Sequence, residues 1–153
     1  MTKGYYEIAM SDLLYLQYTL GSDLYNQMAV ICQQISEKLL KSVAELVVVD
    51  EKIIKSHNLR QINSAILLGG IDLELDQSDL AYLKDFYFDA RYPGDNFVEV
   101  SRDDITKCLE IMYDVVRAVT RFRKDKGLNC EDYKELYLTG NALDKLLNAA
   151  SML

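Results

Sequence analysis

The sequence predicts an all-α protein: an antiparallel four-helix up-and-down bundle with an additional short helix and a C-terminal helix. Two observations carry this. One proline and seven glycines interrupt 153 residues, too few breakers for many strands joined by tight turns. Apolar residues also recur at steps of three and four over long stretches, the period of a helix with one buried face.

The elements follow in chain order. Tyr5, Ala9, Leu13, Leu16 and Leu20 mark the buried face of a first helix, which Gly21 can end in the left-handed conformation. Ser22 or Asp23 can cap a second, long helix that reaches about Val49, with Leu24, Met28, Ile31, Ile35, Leu39, Val43 and Leu46 along its stripe. A polar stretch from Asp50 to His57 leads into a short helix over about 58–67, which Gly69-Gly70 breaks. Val47-Val48-Val49 and Ile66-Leu67-Leu68 are β-prone, but each is too short and isolated to build a sheet.

Ser78 opens another helix, with Leu80, Leu83 and Tyr87 on its face. The following 89–96 stretch is a loop, because Pro93 and Gly94 both oppose helix. Ser101 and Asp104 resemble a capping box with Asp in place of the usual Glu. From there Ile105, Leu109, Met112, Val116, Val119 and Phe122 trace a stripe that ends before Gly127. A last helix is expected over about 131–151, where Tyr133, Leu136, Gly140, Leu143, Leu147 and Ala150 form a narrow seam. That seam closes the bundle or pairs with a second copy. On this reading residues 1–126 form the bundle, and 127–153 a C-terminal helical extension packed on it or at a dimer interface.

Composition bounds the function. Half the residues are apolar and 27% are charged, an ordinary globular balance for one domain. A net charge of −7 argues against a broad nucleic-acid coat, whose affinity comes from Lys and Arg on phosphates. Cys32, Cys108 and Cys130 are far apart and lack metal spacing, so they read as reduced, mostly buried thiols. No apolar run approaches the roughly 20 residues that span a bilayer. The expectation is a cytoplasmic protein with no membrane segment, no metal and no cofactor.

Three patches carry a family resemblance. Gln33-Gln34-Ile35-Ser36-Glu37-Lys38-Leu39-Leu40-Lys41 is similar to a glutamine-glutamine, glutamate-lysine, lysine pattern of the HEPN family, the higher-eukaryote-and-prokaryote nucleotide-binding domain. Ser56-His57-Asn58-Leu59 resembles that family's Thr-His-Asp-Leu entry into a short helix, and Asp89-Ala90-Arg91-Tyr92-Pro93-Gly94 its Ala-Arg-Tyr-Pro loop. Order and spacing agree, and the resemblance covers roughly 5–122. It implies a helical bundle, often dimeric, that binds nucleotides, accompanies a small nucleotidyltransferase in a toxin–antitoxin pair, or cleaves RNA.

The residues themselves sort these activities. RNase members carry an Arg followed one or two turns later by a His on the last bundle helix, where the pair can polarise a phosphate and move a proton. Here the single histidine, His57, precedes every arginine. Gly21-Ser22-Asp23 lacks the following Asp-x-Asp pair that a nucleotidyltransferase needs for magnesium, and no phosphate-binding glycine loop is present.

Arg91, beside a Pro-Gly turn, can present a bidentate fork to phosphate, with Tyr92 to stack on a base; alternatively it pairs with a carboxylate such as Glu37 and pins the loop. Gln34, Lys38 and Lys41 share one helix face and can line a polar cleft, or simply form a solvated surface with Glu37. His57 caps or packs locally, or contacts a phosphate or base. Arg117, Arg121, Arg123, Lys124 and Lys126 cluster at a helix end, where the helix dipole already accounts for them.

The expected function is a non-catalytic nucleotide- or partner-binding module. Its ligand is a nucleotide such as ATP, GTP or an AMP-like molecule. Its partners are a separate nucleotidyltransferase and a second copy in a homodimer. The site is Arg91, Tyr92, Lys38, Lys41, Gln34 and His57. The competing expectations are a metal-independent RNase toxin with an atypical site and a purely structural dimerisation module.

Overall fold

The computed structural model describes residues 3–94 and 96–138, apart from the side chain of Phe88. Among them are α1 (Tyr5–Tyr18), α2 (Tyr25–Val47), α3 (Glu51–Ile54), α4 (Leu59–Leu68), α5 (Gln77–Asp89) and α6 (Arg102–Asp125), and no strand. None of these helices is long and apolar enough to cross a membrane.

The four long helices α1, α2, α5 and α6 alternate in direction. The side chain of Asn26, at the start of α2, donates to the carbonyls of Ala90 (3.3 Å) and Val98 (2.8 Å) and accepts from the Val100 N–H (2.8 Å). That one carboxamide ties the end of α5 and the approach to α6 to the start of α2. At the opposite end, Tyr5 of α1 lies beside Lys41 of α2, and Tyr6 lies 4.0 Å beneath the Arg123 guanidinium of α6. Helices α2 and α6 therefore run one way, and α1 and α5 the other.

Helix α2 is the central element. Met28, Cys32, Ile35, Leu39 and Val43 are buried along it, against Ala9, Leu13 and Leu16 of α1 and Leu109, Met112, Val116 and Val119 of α6. Each Leu, Ile, Val or Met among them is worth about 1.5–3 kcal/mol of burial, so the stripes read in the sequence supply the core. The short α4 packs its end on α2: a Cβ on Gly69 would lie 2.9 Å from Val47 Cγ2, so only glycine allows this approach.

Local chemistry sets the boundaries. Ser101 and Asp104 form the expected capping box on α6. Helix α5 begins one residue earlier than Ser78, because Asp76 accepts the N–H groups of Ser78 (2.7 Å) and Asp79 (3.1 Å). The polar 50–57 stretch contains the single-turn α3, capped by Asp50. Gly21 does not take the left-handed conformation: Thr19 closes α1 through its N–H to the Leu16 carbonyl (2.9 Å). Leu24 and Leu46, placed on the α2 stripe by spacing, are about half exposed.

The helix expected from residue 131 is not formed over 131–138, and the rest of it lies outside the described residues. Gly127, at φ +68°, reverses the chain after α6, and the Leu128 N–H bonds back to the Arg123 carbonyl (2.8 Å). Residues 128–138 then run as a non-helical strap between α1 and α6. Side chains of the two helices take the backbone hydrogen bonds that a helix would have made internally. The Glu131 N–H goes to Tyr6 Oη (2.7 Å), and the Lys134 carbonyl receives Gln17 Nε2 (2.6 Å).

Candidate functional site

Three α2 residues, Gln33, Glu37 and Lys41, stand at steps of four on one face, and the first two meet the turn that precedes α4. All three are buried, an unusual setting for a carboxylate and an ammonium. Glu37 is satisfied on both oxygens. Its Oε2 receives Lys41 Nζ at 3.1 Å, and its Oε1 meets His57 Nδ1 at 2.9 Å and Gln33 Nε2 at 3.2 Å. Gln33 also donates to the His57 carbonyl (3.3 Å), so one glutamine holds both the backbone of His57 and the carboxylate that receives its ring.

The turn itself is fixed by caps. Asn58 accepts the Gln61 N–H at the start of α4, and Ser56 Oγ accepts the Asn58 N–H at 3.0 Å, which leaves His57 between two pinned residues. A carboxylate can only accept, so the contact with Glu37 is one in which Nδ1 donates, and Nε2 is the ring nitrogen turned toward Tyr87. The His57 side chain is 48% exposed.

Tyr87, in the last turn of α5, covers the outer part of that ring. The two rings are stacked, 4.4 Å between centroids and 14° from parallel, and Tyr87 Oη is 3.4 Å from His57 Nε2. The Arg91 guanidinium lies 5.0 Å from the Tyr87 centroid and 5.2 Å from that of Tyr92. An array therefore runs from the buried Lys41–Glu37 pair through His57 and Tyr87 to the exposed Arg91 and Tyr92.

Two hollows adjoin this array. One, of about 410 Å³, is lined by Ser56, His57, Lys84, Tyr87 and Asp89. The other is an open groove of about 1360 Å³ at the end of the bundle, whose lining includes the cations Arg91 and Arg102, the carboxylates Asp23 and Glu99, and the rings of Tyr25 and Phe97. Arg91 stands in the wall of the larger hollow and beside the ring that lines the smaller one. Chemically, the array offers a cation, tyrosine rings beside it and one imidazole nitrogen.

The residues singled out in the sequence are partly brought together. Arg91, Tyr92 and His57 belong to one array, and Lys41 is its buried root. Lys38 faces the other way and pairs with Asp12 of α1. Gln34 is half-buried. The alternative partner for Arg91, Glu37, is instead taken by Lys41, His57 and Gln33. Tyr87 was legible only as an apolar-face position of α5, and the spacing of Gln33, Glu37 and Lys41 was the one available sign of a buried polar row.

Two arginines of the basic cluster at the end of α6 have structural partners. Arg117 pairs with Asp114 and Glu135, and Arg123 Nε donates to the Asn129 carbonyl (2.7 Å) and covers the Tyr6 ring. Among the described residues no group of His, Cys, Asp and Glu could hold a metal ion.

No curated protein and no solved structure matches this chain. A family model does: the HEPN domain model matches residues 2–124, which take in the three patches, all six helices but the last residue of α6, and every residue of the array. The chain belongs to the HEPN domain family.

Proposed function

We propose that this HEPN domain binds a nucleotide without transforming it, holding the phosphate at Arg91 and the base against Tyr92, and that it does so as the companion of a small nucleotidyltransferase. The observation that carries this reading is the guanidinium of Arg91, held 5.0 Å from Tyr87 and 5.2 Å from Tyr92 at the rim of a groove of about 1360 Å³. A guanidinium stacked on rings keeps its N–H edge for a phosphate, and the rings restrict the rotamers that binding would otherwise have to freeze. The groove has the room that a nucleotide needs. The non-catalytic part of the reading rests on the sequence: α6 has no histidine, and the single histidine, His57, precedes every arginine.

Calorimetric titration with ATP, GTP and AMP at millimolar concentration tests it. Heat with at least one of them, lost in Arg91→Ala and kept in Lys38→Ala, is the expected result. No heat with any of the three removes the nucleotide.

One observation favours a second reading, an RNase with an unorthodox site. A carboxylate on Nδ1 is what orients a histidine as a base at Nε2, and Arg91 lies beside the ring that stacks on it. Incubation with a structured RNA decides between the two, because cleavage that disappears in His57→Ala would replace binding with catalysis.

A further inference from the structure

Residues 128–138 lie outside the family match and run along the groove between α1 and α6. Their contacts are those of a peptide in a binding site. Tyr113 of α6 is fully buried, and its hydroxyl serves both polar groups of one strap residue: it donates to the Leu136 carbonyl (2.8 Å) and accepts the Leu136 N–H (2.9 Å). Gln17 of α1 donates to the same hydroxyl (3.1 Å) and to the Lys134 carbonyl (2.6 Å). Tyr6, also buried, accepts the Glu131 N–H. With Arg123 Nε, which donates to the Asn129 carbonyl (2.7 Å), four side chains of the bundle thus take main-chain groups of the non-helical strap.

Side chains add a sequence preference. Glu135 pairs with Arg117 of α6, while Tyr133 and Leu138 pack against the core. Without the strap, the hydroxyls of Tyr6 and Tyr113 would keep only Gln17 as a partner from the bundle. The strap thus supplies most of the hydrogen bonds that these two hydroxyls make.

We propose that the α1–α6 groove is a binding site for an extended peptide with an acidic side chain for Arg117 and a neighbouring aromatic residue, and that segment 128–138 is its resident ligand, held in cis by the Gly127 turn. The tether gives that segment a high effective concentration, so it occupies the groove in the resting chain. The same groove accepts the same segment supplied in trans once the tether is cut. This is independent of the Arg91 array, which lies on other elements.

The test uses the full chain with a protease recognition sequence between Gly127 and Leu128, cut after folding. The released piece should stay with the bundle on gel filtration, and a fluorescent peptide of residues 128–138 should exchange into its place. Tyr113→Phe should weaken that peptide about tenfold, because the Leu136 N–H and carbonyl both lose their partner. A peptide with Glu135→Lys should bind more weakly to the unsubstituted bundle. A cut bundle that keeps its helical signal yet binds no labelled peptide overturns the proposal, as does binding indifferent to both substitutions. If the cut bundle loses its helical signal, the uncut chain answers. Tyr113→Phe should then speed amide exchange at Leu136 while α2 amides stay protected, and unchanged exchange at Leu136 overturns the proposal.

Discussion

The imidazole of His57 lies flat against the phenol ring of Tyr87, 4.4 Å between centroids, although one precedes α4 and the other ends α5. This stack is the hinge of the array: behind it are Glu37 and Lys41, and in front of it is Arg91. Tyr87→Ala should therefore lower affinity for whichever nucleotide binds by about tenfold, through loss of the His57 stack and the Arg91 cation–π contact. Tyr87→Phe keeps the ring that stacks on His57 and lies under Arg91, and should keep most of the affinity. Equal losses in the two variants, read by calorimetry, would contradict a role based on stacking.

The Glu37–Lys41 pair is nearly dry, with side chains 9% and 7% exposed. Glu37→Gln leaves the Lys41 ammonium buried without its counter-charge, which should destabilise the fold by about 3 kcal/mol. Adding Lys41→Met should recover most of that loss, because the apolar side chain needs no partner. Urea denaturation of the two variants measures both numbers. A double variant no more stable than the single one would mean that Glu37 acts mainly through His57.

Much of the fold is legible in the sequence because helical stripes and caps are local. The stripes of α1, α2 and α6 and the Ser101 capping box all depend on residues three or four apart. The array is less legible for a reason of distance: Glu37 and His57 are 20 positions apart, and Tyr87 is 30 beyond His57. Periodicity says that Gln33, Glu37 and Lys41 share a face, but not whether solvent or the α4 turn covers it. The tail shows the converse failure. Tyr133, Leu136 and Gly140 are spaced like a helix seam, yet over 131–138 the hydroxyls and carboxamide of Tyr6, Tyr113 and Gln17 offer the backbone better-placed partners. No local pattern announces them.

Acid should act on the start of α6. The Ser101 N–H, 3.0 Å from Asp104 Oδ2, together with the hydroxyls of Ser101 and Tyr82, holds the Asp104 carboxyl below the usual aspartate value. A depressed folded value contributes stability above the unfolded value of about 3.9, and that contribution fades as pH falls through the folded value. Because the group is partly solvated, the effect is small, about 0.5 kcal/mol. Asp104→Asn should thus lower the urea midpoint slightly at pH 7, and the gap to the unsubstituted protein should close as the pH falls below about 4. A gap constant across that range would assign the effect to geometry rather than charge.

The three thiols should react in two classes. Cys32 and Cys108 are fully buried; burial pushes the Cys108 thiol up to about 12 and raises that of Cys32 well above the ordinary value. Neither offers thiolate or access to a reagent at pH 8. Cys130 is half-buried on the strap, with Sγ 3.7 Å from the Thr120 carbonyl. A chromogenic disulfide reagent should therefore titrate one thiol quickly in the native protein and three in denaturant. The slow pair should respond to urea in step with global unfolding, because both sit between α2 and α6 in the core. The fast thiol should instead respond to Tyr113→Phe, which loosens the strap alone. Two fast thiols in the native protein would mean that the α2–α6 contact opens far more readily than its packing allows.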